Sequence, residues 1–148
     1  SYNEGWWAPP VMTEKAIDLL DDDEDGFFLM VEGAHIDKFS HSNDFNGSTS
    51  HTAEFDKAIQ VALDYAAKDG ETLVVVTADH ETGGITYNAE KDEYYYTTGS
   101  HTGVNVPVFV SATDAGFLAG KAYKNCEVST QIARIMGAKE EDFPRIKL

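Results

Sequence analysis

The sequence predicts an α/β fold with a mostly parallel sheet covered by helices. The stretch TLVVVTAD, Thr72 to Asp79, is β-branched and apolar on both faces, as in a strand at the middle of a parallel sheet. Just before it, Thr52 to Lys68 repeats apolar residues at Phe55, Ile59, Ala62, Leu63 and Ala66, the stripe of an amphipathic helix. A further apolar run, GFFLMVEG from Gly26 to Gly33, is bounded by glycines and has the length of a buried strand. Helices and strands alternating in this way define the class.

In chain order, TEKAIDLL (Thr13 to Leu20) follows a proline pair and carries helical spacing at Ala16, Ile17 and Leu20, with Thr13 as its N-cap. The strand Gly26 to Gly33 brings Glu32 to its end. Gly70 stops the amphipathic helix, and the second strand follows at once. ITY and EYYYTTGSH then read as a strand or hairpin before a loop, Val106 to Ala112 as another strand, and Val128 to Gly137 as a C-terminal helix capped by glycine. No internal repeat, low-complexity tract or linker interrupts the chain.

The 148 residues, 42% hydrophobic, suffice for one domain with one core. Eleven Lys and Arg against 26 Asp and Glu give a formal charge of −15, which opposes nucleic acid and anionic membrane surfaces as partners. The run DDDED, Asp21 to Asp25, reads as a solvated loop, since its spacing does not make an EF-hand. No apolar stretch approaches the roughly 20 residues that span a bilayer. SYNEGWWAPP lacks a signal peptide's basic start and apolar core, and a chain opening on Ser1 reads as a piece of something longer. Cys126 is the single cysteine, so no intrachain disulfide forms.

In such sheets, functional groups collect beyond the carboxyl ends of strands. Glu32 lies at the end of one strand and Asp79 and His80 at the end of the next, while Asp37 and His41 lie just past Glu32. The spacing of four puts Asp37 and His41 on one face of a helical turn, where they suit chelation of one cation. Each of the five histidines, at positions 35, 41, 51, 80 and 101, reads most simply by itself as a surface or satisfied side chain. Three of them beside acids or glycines at turn-rich strand ends make a stronger signal together. Imidazole with carboxylate suits zinc, and an extra carboxylate such as Glu32 suits magnesium. Two adjacent divalent ions point to hydrolysis at phosphorus.

VEGAHIDKFSH, EFDKAIQVALDYA, TLVVVTADHETGG and GSHTG occur in the order and at roughly the intervals found in the C-terminal half of alkaline phosphatases. From about Thr13 through the final helix, the chain resembles that family. The resemblance implies an alkaline-phosphatase-like three-layer sandwich, of which residues 1–148 form a partial domain, the C-terminal portion. It also implies two zincs and one magnesium. Asp37, His41 and His101 match ligands of the first zinc, Asp79 and His80 ligands of the second, and Glu32 the carboxylate of the magnesium site. Lys38 matches a position that, where basic, contacts phosphate through water.

The implied parent reaction is hydrolysis of phosphate monoesters through a phosphoserine, in a homodimer. The family's nucleophilic serine, a shared Asp, a magnesium-binding Thr and a phosphate-clamping Arg belong to its N-terminal half. No Asp-Ser dipeptide occurs here, and Ser40, Ser42 and Ser100 read as loop hydroxyls, so no catalytic nucleophile is assigned. The chain alone is expected to bind metal without turnover, with a sheet edge left open. A sulfatase or phosphoglycerate mutase of the same superfamily is the alternative enzyme. A metal-binding or strand-exchanging assembly module is the alternative non-enzyme. Family members are usually exported, so an extracytoplasmic location is the expectation, although this chain lacks the cysteine pairs of disulfide-bearing bacterial members.

Overall fold

The computed structural model describes residues 8–111 and 124–139. They fall in two compact units divided after Ser111. The first unit opens with α1, Pro9–Leu20, which starts four residues before the expected Thr13. Pro9 and Pro10 account for the shift, because their fixed φ suits a first turn whose N–H groups need no partner. Thr13 is buried inside the helix, where its hydroxyl donates to the Pro9 carbonyl at 2.7 Å. The acidic run after α1 is a solvated turn, tied down where the Tyr65 hydroxyl donates to Asp21.

The strand expected over Gly26 to Gly33 is not formed. These residues form no regular element and join no ladder among the described residues, and Phe28 and Met30 are 59% and 69% exposed. Apolar content can extend a backbone, but a strand exists only where a neighbour takes its hydrogen bonds. The segment leads into α2, Ala34–His41.

The helix α3, Phe45–Asp69, is seven residues longer at its start than its apolar stripe predicts. The added turns, FNGSTSH, are poor helix formers held by side chains. Asp44 caps them by accepting from the Gly47 N–H at 2.9 Å. Thr49 and Thr52 donate back to the carbonyls of Phe45 and Ser48. Gly47 is required for packing, since a Cβ there would run into the ring of Phe39 on α2. Both α1 and α2 pack on α3, and Ile17 of α1 and Ala58 of α3 are buried. Gly70, with φ of 80°, ends α3 as expected.

The strands are β1 (Val74–Thr77), β2 (Glu81–Thr82), β3 (Thr86–Asn88), β4 (Glu93–Tyr95), β5 (His101–Thr102) and β6 (Val108–Ser111). The α/β class stands, with helix α3 packed on β1. The strand direction is a correction. Among the described residues every ladder is two-stranded and antiparallel, pairing β1 with β6, β2 with β5 and β3 with β4. Parallel neighbours need a crossover, usually helical, and the chain between β1 and β6 instead doubles back through short strands. The hairpin of β3 and β4 realises the expected aromatic pair of strands. Ala112, the expected last residue of the sixth strand, lies outside the described residues, as do Ser1 to Trp7.

In the second unit, α4 covers Asn125–Ile135. The Lys124 N–H donates to Glu127 at 2.8 Å at its start, and Gly137, with φ of 85°, follows its end as the expected glycine stop. Cys126 is a free, exposed thiol on this helix.

Candidate metal centre

The centre forms where α2 meets the antiparallel pair β2–β5. A turn of α2 brings Asp37 and His41 onto one face, with the Asp37 Oδ1 at 3.3 Å from the His41 Nε2. The third group arrives from 60 residues further along, and Gly83 is what returns it. The Gly83 N–H donates to the Ser100 carbonyl at 3.0 Å, while its own carbonyl accepts from the N–H groups of Thr97 and Thr98 at 3.0 and 3.1 Å. One peptide neighbourhood thus clasps both ends of the hairpin excursion. Gly83 has φ of 93°, and a Cβ there would meet the Tyr96 ring, so no other residue fits without strain. The clasp registers β5 on β2 with Thr82 opposite His101.

The His101 Nε2 lies 3.4 Å from Asp37 Oδ1 and 3.1 Å from His41 Nε2. With the 3.3 Å contact between Asp37 and His41, the three donor atoms form a near-equilateral triangle. Tetrahedral zinc with bonds of 2.0–2.1 Å separates its ligand atoms by about 3.3 Å, so the donor set fits that ion in spacing as well as in chemistry. The His41 Nδ1 sits 2.7 Å from the Gly99 carbonyl and donates to it, so that in the neutral ring the lone pair for coordination lies on Nε2. The three side chains stay 31–49% exposed, so ion and water reach them from solvent.

Asp37 is held as a carboxylate. The hydrogen bond donated by the Thr82 hydroxyl at 2.6 Å does most to keep its pKa below the usual aspartate range, against the pull of partial burial, with help from His41, His101 and His80.

His80 lies beside this cluster, its ring stacked on that of His101 with centroids 3.5 Å apart. Its Nε2 is 3.3 Å from Asp79 Oδ2, and Asp79 itself is 76% exposed. Asp79 and His80 therefore form an acid–imidazole pair adjoining the cluster of three. Glu32 is exposed just before α2, outside the cluster of three, and Lys38 is exposed on α2 next to Asp37. Sequence reading missed Thr82, whose hydroxyl is within reach of both Asp37 and His80, and the Gly99 carbonyl. Thr82 carried a faint signal, lying two residues past an Asp–His pair. The Gly99 carbonyl carried none, since any residue offers one.

The family model described as alkaline phosphatase matches residues 10–97, more than half of the chain. The chain belongs to the alkaline phosphatase family. It is 37% identical to alkaline phosphatase 3 of Bacillus subtilis over 129 residues, which are 87% of this chain and 26% of that protein. To the Escherichia coli enzyme it is 55% identical over 69 residues, 47% of this chain and 15% of that one. The alkaline phosphatase of the Antarctic bacterium TAB5 has the same fold, with a TM-score of 0.83 at 33% identity over 93% of this chain and 43% of that one. A variant of the TAB5 enzyme, solved with Mg bound, aligns at a TM-score of 0.80 and 32% identity over the same shares. The chain thus spans about a quarter of the Bacillus relative and under half of the solved enzyme. Its fold is that of part of an alkaline phosphatase.

Proposed function

We propose that this chain carries the metal-binding C-terminal part of a phosphate monoesterase with two zincs and one magnesium. The observation that carries the reading is the triangle of Asp37 Oδ1, His41 Nε2 and His101 Nε2, with edges of 3.1–3.4 Å. Those residues hold the first zinc. Asp79 and His80 hold the second, and Glu32 supplies a carboxylate to the magnesium. When bound, the ions supply Lewis acidity toward phosphoryl oxygens and lower the pKa of coordinated water. The protein's own part is to hold the ligand atoms converged. The Gly99 carbonyl fixes the His41 tautomer, and Thr82 holds Asp37 ionised. Lys38, beside Asp37, places positive charge where a phosphate dianion is drawn in.

The whole protein acts on phosphate monoesters as a homodimer outside the cytoplasm. Among the described residues, no helix is long and apolar enough to cross a membrane. The 148-residue chain alone, in which no Asp-Ser pair occurs, binds metal without turnover. Calorimetric zinc titration at neutral pH, run beside a chromogenic monoester assay, tests this. One tight zinc and no hydrolysis is the expected result. Hydrolysis that Asp79→Ala abolishes would place the whole catalytic apparatus in this chain and overturn the division of labour.

A further inference from the structure

The hydroxyl of Thr82 stands between the two groups of ligands. It lies 2.6 Å from Asp37 Oδ1 and 3.2 Å from His80 Nδ1. A threonine has one proton and two lone pairs, and an ionised carboxylate only accepts. The proton therefore goes to Asp37, and the oxygen is left to accept from His80. That requires the proton of a neutral His80 to sit on Nδ1, so that Nε2, the nitrogen facing Asp79, presents a bare lone pair. We propose that Thr82 is a positioning residue that sets the ligand-competent form of both metal sites through one hydroxyl, fixing the Asp37 oxygen of the first and the His80 tautomer of the second. The backbone supports this role. Thr82 is paired with His101 in the β2–β5 ladder, so the same residue registers a strand to one ligand and hydrogen-bonds two others. Its neighbour Glu81 accepts from Thr102 across the ladder and from the Ile85 N–H, which holds the short pair in place.

The inference rests on the metal-binding reading, and its test separates the two. Asp79 Oδ2, 3.3 Å from His80 Nε2, competes for a proton on the opposite nitrogen, so the proton's location reports directly on Thr82. The long-range ¹H–¹⁵N spectrum of the metal-free chain at pH 8 should show His80 chiefly protonated on Nδ1. Thr82→Val, which keeps the shape and drops the hydroxyl, should move that proton to Nε2, and Thr82→Ser should restore it. The backbone amide spectrum identifies any variant that fails to fold, and the serine variant then decides the matter. In zinc titrations, Thr82→Val should weaken binding by about 10–100-fold, the range typical of outer-shell partners, and Thr82→Ser should recover most of it. An unmoved tautomer, or equal zinc affinity in the valine variant, overturns the role of Thr82 and leaves the metal reading intact. A native chain that binds no zinc but shows the Thr82-dependent tautomer overturns the metal reading and leaves the hydroxyl's role standing.

Discussion

Asp37 and His41 sit four residues apart on one helix, and Asp79 and His80 are adjacent just past a strand. The first pair gathers with His101 into a mutual cluster, whereas Asp79 stays 76% exposed beside a His80 that is 26% exposed. Helical spacing aims two side chains at one point before any tertiary contact forms, whereas Asp79 and His80 meet, at 3.3 Å, only because the chain bends just past β1. A chelating pair on a helix thus needs one distant partner to complete it. A pair at a strand end needs its surroundings to turn both groups inward.

The sharpest way to break this contrast is to delete one side chain from each pair. His41→Ala should weaken zinc binding beyond the roughly 100-fold upper range of outer-shell changes, while Asp79→Ala should leave the tight site nearly intact in the same titration. Equal losses would mean that the two pairs act as one site.

The next largest effect should come from the clasp that delivers His101. Gly83→Ala forces a side chain onto a backbone with φ of 93° and into the Tyr96 ring. It should destabilise the chain by about 1–3 kcal/mol in urea unfolding and weaken zinc binding as well. Stability loss with unchanged zinc affinity would show that β5 holds its register without the clasp.

A smaller cost is expected at the start of α3. Asp44→Ala removes the cap on the Gly47 N–H and should lower stability by about 0.5–2 kcal/mol, read from the urea midpoint. Because this cap holds α3 and touches no ligand, zinc affinity should change far less than with Gly83→Ala.

The smallest effect concerns pH. The Thr82 hydrogen bond places Asp37 below 3.8 in the folded chain, so its contribution to stability is fully present above 3.8 and fades as pH falls through the lower folded value. Asp37→Asn should flatten that acid limb in the metal-free chain. The change should be modest because the side chain is 31% exposed and solvent screens its interactions. An acid limb unchanged in the variant would show that the hydrogen bond does not favour the carboxylate.

Much of this was legible along the chain. The stripe from Phe55 to Ala66, the β-branched run into Asp79, the aromatic hairpin and the glycine stops at Gly70 and Gly137 are local patterns, and local patterns fix helices and turns. So is the pairing of Asp37 with His41, because the helical repeat alone determines it. The strand expected at Gly26 to Gly33, the parallel direction of the ladders and the first turns of α3 were misread for one reason. A ladder depends on a neighbour remote in sequence, and FNGSTSH becomes helical through Asp44, hydroxyls bonded back to the helix, and a glycine that admits the Phe39 ring. The sequence by itself determined which side chains are available to bind metal and the family to which they belong. Only the tertiary structure decided which of them converge. A triangle with edges near 3.3 Å closed across 60 residues depends on the Gly83 clasp and on where the hydroxyl of Thr82 lands, and neither distance is written in any local pattern.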